Sequence, residues 1–253
     1  MNFDTRARFF LPEGASVDDL NSADVPDEEV GVSELWPSYM QSKKVHKMCA
    51  LARLVSGWIE EQLYRVGIST CSADHLSLTA FSVVHEHHKS CVLLVEEGLF
   101  GSAAALMRPS LEAYFRGLWL QWAEGDELQK FQEGKHSLEP QRFIKQLLQR
   151  SKVERYGDLL PMWEESKQTL HGYVHHGYQS LVRRSGEVEV TAEEVTTMLK
   201  FSTGLALHAS LDFTELVARR PPAGEETELR QAAVALQGKI VAFMRALDLA
   251  TVR

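Results

Sequence analysis

The sequence predicts an all-α protein, a multi-helix bundle of about seven or eight helices, and three observations lead there. Apolar residues recur at three- and four-residue spacing through most of the chain, which is a helical period. Starting and stopping residues punctuate that pattern at helix-length intervals. Alternation of the kind a strand needs is confined to Val188 to Val190. With 253 residues, 44% of them apolar and 25% charged, the chain can bury a sizeable core.

Residues 1–35 read as an irregular, acidic, mobile arm. Glu13 to Glu34 contains eight acidic residues, no lysine or arginine, and few large apolar side chains with which to bury itself. Residues 36–253 read as a single all-helical domain. Regular structure is expected to begin near Trp36 and Pro37, because proline suits the first turn of a helix. Val45, Met48, Cys49, Ala52, Val55, Ile59, Leu63 and Val66 then form one apolar stripe. Gly67 supplies the stop, giving a helix of about eight turns. A second helix starts after Ser72 or Asp74, both good N-caps, and stops at Gly98. A third runs from Gly101 and Ser102 to Ala123, ahead of the break Glu124-Gly125-Asp126; Pro109 deprives the Ala105 carbonyl of its donor and should kink it.

Shorter helices fit Glu127 to Glu133 and Pro140 to Ser151, the second with Ser137 as a starting signal. Pro161 opens another, carrying Trp163, Leu170, Tyr173, Val174 and Leu181. Thr191 and Glu194 have the spacing of a capping box, so a long helix should follow to about Ala218. Pro221-Pro222-Ala223-Gly224 ends it, and Glu226 to Leu247 forms the last.

Composition narrows the function. The longest apolar runs fall far short of the roughly 18 residues a membrane span needs. No run of signal-peptide length follows Met1 to Pro12, so the expectation is a cytoplasmic protein with no membrane partner. Cys49, Cys71 and Cys91 are odd in number and far apart, which argues against a disulfide framework and a thiolate metal site. A net charge of −8 disfavours nonspecific coating of nucleic acid but leaves room for a local site. The basic pairs Arg183-Arg184 and Arg219-Arg220 read as solvated charges.

Two segments carry chemistry. Within the nearly all-apolar third helix, Arg108, Glu112 and Arg116 recur at four-residue steps and share one face. Charges on a mostly buried helix need partners or a wet cleft. Glu112 therefore bridges the two arginines either as an ion network that orients the bundle or as the backing of an anion-binding cleft, where the arginine fork matches phosphate. The second segment is Leu170-His171-Gly172-Tyr173-Val174-His175-His176-Gly177, in which His171 and His175 lie one turn apart and face the same way. Gly172 and Gly177 there signal either close backbone or ligand approach or a helix end. In a further cluster, His85-Glu86-His87-His88, the residues His85 and His88 could join His171 and His175 around a metal. The metalloprotease spacing is absent, and the di-iron spacing, needed on two helices, occurs only at Glu133 and His136 beside Gly134, so neither metal nor cofactor is expected.

The sequence Ala105-Leu106-Met107-Arg108 with Glu112 four residues on, followed some sixty residues later by Leu170-His171-Gly172-Tyr173-Val174-His175, resembles the HEPN superfamily of bacterial and other helical domains. The similar stretch is about 85–184. The resemblance implies a metal-independent ribonuclease from a bacterial toxin or antiviral defence system, acting as a homodimer with a site at the interface. The superfamily's arginine five to seven residues before the histidine is missing here: Lys167 precedes His171 by four and Gln168 precedes His175 by seven. Arg108 or Arg116 would then supply that charge from the neighbouring helix. In this reading His175 is the general base on a ribose 2′-hydroxyl, and His171 or His176 protonates the leaving oxygen. Arg108 and Arg116 hold the phosphate, and Glu112 orients them. The alternative is a non-catalytic sensor, adaptor or antitoxin that binds a nucleotide or a cognate protein partner, with the acidic arm as an interaction segment or an RNA mimic.

Overall fold

The computed structural model describes residues 37–63, 72–135, 139–175, 177–185, 188–219 and 226–249. The acidic arm, Gly67, Cys71, Ser137, His176 and the stop at 221–224 lie outside them. Every regular element among the described residues is helical. A 3-10 turn, Ser38–Gln41, comes first, and Ser42 leaves it in an extended conformation. The first long helix, α1, therefore spans Lys43–Leu63 rather than starting at Pro37. Its partner α2 covers Ser72–Glu96. Gly98, at φ +72°, closes α2 as the sequence predicts, with the Leu99 N–H bonded to the Leu94 carbonyl and the Gly98 N–H to that of Val95.

The expected third helix is two. α3 (Phe100–Ala105) and α4 (Met107–Leu120) are separated at Leu106, where the missing N–H of Pro109 interrupts the ladder. Then follow α5 (Gly125–Gln132), α6 (Pro140–Arg150), a 3-10 segment Glu154–Asp158, and α7 (Leu159–Val174). α7 begins two residues before Pro161 and stops at His175, so Leu181 belongs to a separate short helix, α8 (Tyr178–Ser185). Val188 to Val190 is irregular rather than extended in a sheet. The capping box at Thr191 forms as expected: its hydroxyl accepts from the Glu194 N–H at 3.2 Å, and the Glu194 carboxylate accepts from the Thr191 N–H at 3.0 Å. It opens α9 (Ala192–Arg219); α10 (Glu226–Leu249) ends the described chain.

α2 is the central strut. It packs against α4 on one side and against α1 and α9 on others, while α10 lies on α9. Phe81, Val84 and Val92 of α2, Leu111, Phe115 and Leu118 of α4, and Leu199, Ala206 and Leu207 of α9 meet in one core. Each such large apolar side chain contributes about 1.5–3 kcal/mol on burial. The α2–α4 crossing is closest at Gly117, where a Cβ would stand 2.6 Å from the Phe81 ring. The Gly117 carbonyl also accepts from Ser77 Oγ at 2.7 Å. This close crossing and the packing of α6 and α7 against α4 make α4 an inner helix whose polar stripe faces α7.

Candidate functional site

Arg108, Glu112 and Arg116 are brought together as their spacing predicts. Arg108 Nε donates to Glu112 Oε1 at 2.9 Å, and Arg116 Nη2 donates to Glu112 Oε2 at 3.2 Å. The Glu112 side chain is 19% exposed, and the Arg108 and Arg116 side chains are 24% and 39% exposed, so water reaches the stripe. Two cations against one anion leave it with a net positive charge. The Arg108 guanidinium also lies 5.8 Å from the centre of the Trp163 ring, which is itself held edge-on by Phe115.

The histidine helix meets this stripe. Arg108 Nη1 lies 2.7 Å from His171 Nδ1. A guanidinium has only donors, so Nδ1 accepts and the ring is the neutral tautomer with its proton on Nε2. The rings of His171 and His175 stand 4.3 Å apart, and both residues are exposed. The end of α7 places them there: the His175 N–H closes on the His171 carbonyl at 3.0 Å, and the Gly177 N–H on the Gly172 carbonyl at 2.8 Å. A Cβ on Gly177 would sit 3.2 Å from the Gly172 Cα. Both readings of these glycines hold at once, a helix end and a close backbone approach. Arg108, Glu112, Arg116, His171 and His175 thus form one cluster, while His176 lies outside the described residues.

His85 and His88 do not join it. Both are buried between α2 and α9, His85 through Nε2 to Ser210 Oγ at 3.1 Å, and His88 through Nδ1 to Ser202 Oγ at 3.0 Å and Nε2 to the Ala52 carbonyl at 3.2 Å. Burial holds both rings neutral, lowering His85 to about 3, helped by the neighbouring His88, and His88 to about 4. Of the basic pairs, Arg183 is bonded to Glu194 and Arg219 to Gln121 Oε1. Cys49 and Cys91 are buried free thiols.

Sequence reasoning missed a second polar centre. Asp212, fully buried on α9, accepts from Tyr114 Oη at 2.8 Å, Tyr156 Oη at 2.7 Å and Arg155 Nη2 at 2.6 Å; Arg155 also reaches Glu215 at 2.9 Å. Burial and the carboxylate's charge hold both phenols protonated, well above their ordinary range. The available signal was an aspartate within the mostly apolar stretch Leu205 to Leu216, where a carboxylate needs partners. Every oxygen is engaged within the chain, which suits a structural tie between α4, the 3-10 segment and α9 rather than a ligand site.

Comparison with known proteins found no curated protein and no solved structure that matches. Residues 81–235, more than half of the chain and including all the described cluster residues, match the family described as "Family of unknown function (DUF6988)". The chain belongs to that family.

Proposed function

We propose that the α4–α7 cluster is a phosphate-handling site and that the protein is a HEPN-like, metal-independent ribonuclease of a bacterial toxin or antiviral defence system. The observation that carries the reading is the 2.7 Å contact between Arg108 and His171. It supplies, from the neighbouring helix, the arginine that the histidine helix lacks. In the proposed reaction His175 takes the proton of a ribose 2′-hydroxyl, and the resulting oxygen attacks the adjacent phosphorus. A phosphate oxygen that draws Arg108 toward itself frees His171 Nδ1, which then takes up a proton from solvent to give the imidazolium. As the bond from phosphorus to the 5′ oxygen breaks, that imidazolium protonates the leaving oxygen. The products are a 2′,3′-cyclic phosphate and a 5′-hydroxyl. Arg108 and Arg116 offset the charge that builds on phosphorus, and Glu112 keeps both aimed.

A second reading, a nucleotide- or protein-binding module without catalysis, draws on a different feature of the same geometry. Two of the Arg108 donors are already committed to Glu112 and His171. Purified protein incubated with labelled RNA separates the two. Cleavage that leaves a cyclic phosphate end, persists in EDTA and vanishes in His175→Ala supports the nuclease. Absence of cleavage, alone and with a cognate partner, leaves the binding module.

A further inference from the structure

Away from that cluster, a partly open cavity of about 290 Å³ lies between α1 and α2. Ser56, Ile59 and Glu60 line it from one helix, and His85, Glu86, His88 and Lys89 from the other. This is the small end of the range for ligand sites. His85 is 5% exposed, Ser56 7% and His88 1%, so the cavity is floored by three polar side chains that the fold otherwise buries, of which His88 has both ring nitrogens engaged, by Ser202 Oγ and the Ala52 carbonyl. Ser210 Oγ gives its own proton to the Ala206 carbonyl at 2.8 Å and therefore accepts from His85 Nε2–H. The lone pair of His85 is then on Nδ1, for which the described residues supply no donor. The Ser56 hydroxyl likewise has no hydrogen-bond partner among them.

The charges around these two groups are asymmetric. Glu60 is paired with Lys89 at 2.6 Å across the cavity, whereas Glu86, exposed at its rim, has no ion-pair partner among the described residues. Two carboxylates against one ammonium leave one negative charge, above a floor whose one unengaged imidazole nitrogen, Nδ1 of His85, can only accept. An anion finds no uncommitted cation there. A metal ion lacks ligands, because no three His, Cys, Asp or Glu side chains gather for one among the described residues. The complement is a cation that donates hydrogen bonds and carries a short apolar tail for Ile59.

We propose that this cavity binds a small primary aliphatic amine, its ammonium donating to His85 Nδ1 and Ser56 Oγ and facing the Glu86 carboxylate. Burial lowers the basicity of His85 far enough to keep Nδ1 an acceptor throughout the neutral range. The site is independent of the α4–α7 cluster and stands whether or not RNA is cleaved.

The test is isothermal titration of the full chain with propylamine, with tetramethylammonium as a control of equal charge and no N–H donor. One saturable site with Kd of about 1 mM or tighter is expected for propylamine, and none for the control. The His85 Nδ1 resonance in a long-range proton–nitrogen spectrum should move with the same saturation. Ser56→Val and Glu86→Gln should each weaken binding about tenfold, the loss of one charge-assisted contact. If Ser56→Val fails to fold, Glu86→Gln at the exposed rim carries the comparison alone. No saturation up to roughly 10 mM, equal binding of tetramethylammonium, or an affinity unmoved by Glu86→Gln overturns the proposal.

Discussion

Replacing Arg108 with alanine breaks two contacts at once, the 2.9 Å ion pair to Glu112 and the 2.7 Å hydrogen bond to His171. Breaking a wholly buried ion pair by removing one partner costs about 3–5 kcal/mol. Here the two side chains are 24% and 19% exposed, and Glu112 keeps Arg116 at 3.2 Å, so no carboxylate is stranded. The loss should be nearer 2 kcal/mol, the sum of two part-solvated contacts at about 1 kcal/mol each. For a chain of this size that is a fall in Tm of roughly 4–8 °C. Thermal and urea unfolding of Arg108→Ala beside the wild type measure it. RNA cleavage or phosphate binding should fall much further, by roughly 10²–10³, if the guanidinium meets a phosphate. Arg108→Lys keeps the charge but cannot span Glu112 and His171 together, so it should recover most of the stability and little of the activity. A stability loss above about 4 kcal/mol with phosphate binding and cleavage unchanged would refute the reasoning and mark the stripe as a structural ion network.

The buried His85 and His88 make the fold sensitive to acid. Their folded values, about 3 and about 4, lie below the ordinary 6.5, so the unfolded chain binds more protons and stability falls as pH drops below 6.5. Each of the two rings should contribute a slope approaching about 1.4 kcal/mol per pH unit, beside contributions of the same sign from His87 and His208, which burial also holds low, and His88→Gln should remove about that much of the slope in urea titrations between pH 6 and 4.5. Stability that is flat with pH over that range would contradict the burial of both rings. Gly117→Ala places a methyl group 2.6 Å from Phe81 and should destabilise by about 1–3 kcal/mol, whereas Gly101→Ala, which meets nothing within 4 Å, should not. Equal unfolding midpoints for these two variants would show that the α2–α4 crossing is looser than described.

What the sequence made legible was local. The Arg108, Glu112, Arg116 stripe and the Thr191 capping box depend on residues three or four apart, and their geometry follows from helical pitch alone. The partner of that stripe was half legible: His171 and His175 were expected to share a face, and α7 does set their rings side by side. The Pro109 interruption was readable because a missing donor has one consequence wherever it sits. The partners of His85 and Asp212 were not readable. Ser210 lies 125 residues from His85, and Tyr114 98 residues from Asp212, separations at which only the assembled core decides who meets whom. For the same reason four histidines that the sequence could group around a metal are divided between the α2–α9 packing and the end of α7. The continuation of the Pro161 helix to Leu181 failed because Gly172 and Gly177 act on each other's backbone, an effect that apolar periodicity does not register.

The Asp212 tie has a mechanical consequence. Tyr156 and Arg155, which it grips, lie in the 3-10 segment that leads directly into Leu159, where α7 begins, so that helix is clamped at one end and carries the exposed histidines at the other. Over sixteen residues the arm of this lever is about 24 Å, and a tilt of only ~5° at the clamp would carry its tip sideways by ~2 Å. That exceeds the tolerance of a hydrogen bond such as the one joining Arg108 to His171. A carboxylate that touches neither histidine thereby fixes the aim of both, and alignment of the cluster is set at the far end of the helix that bears it.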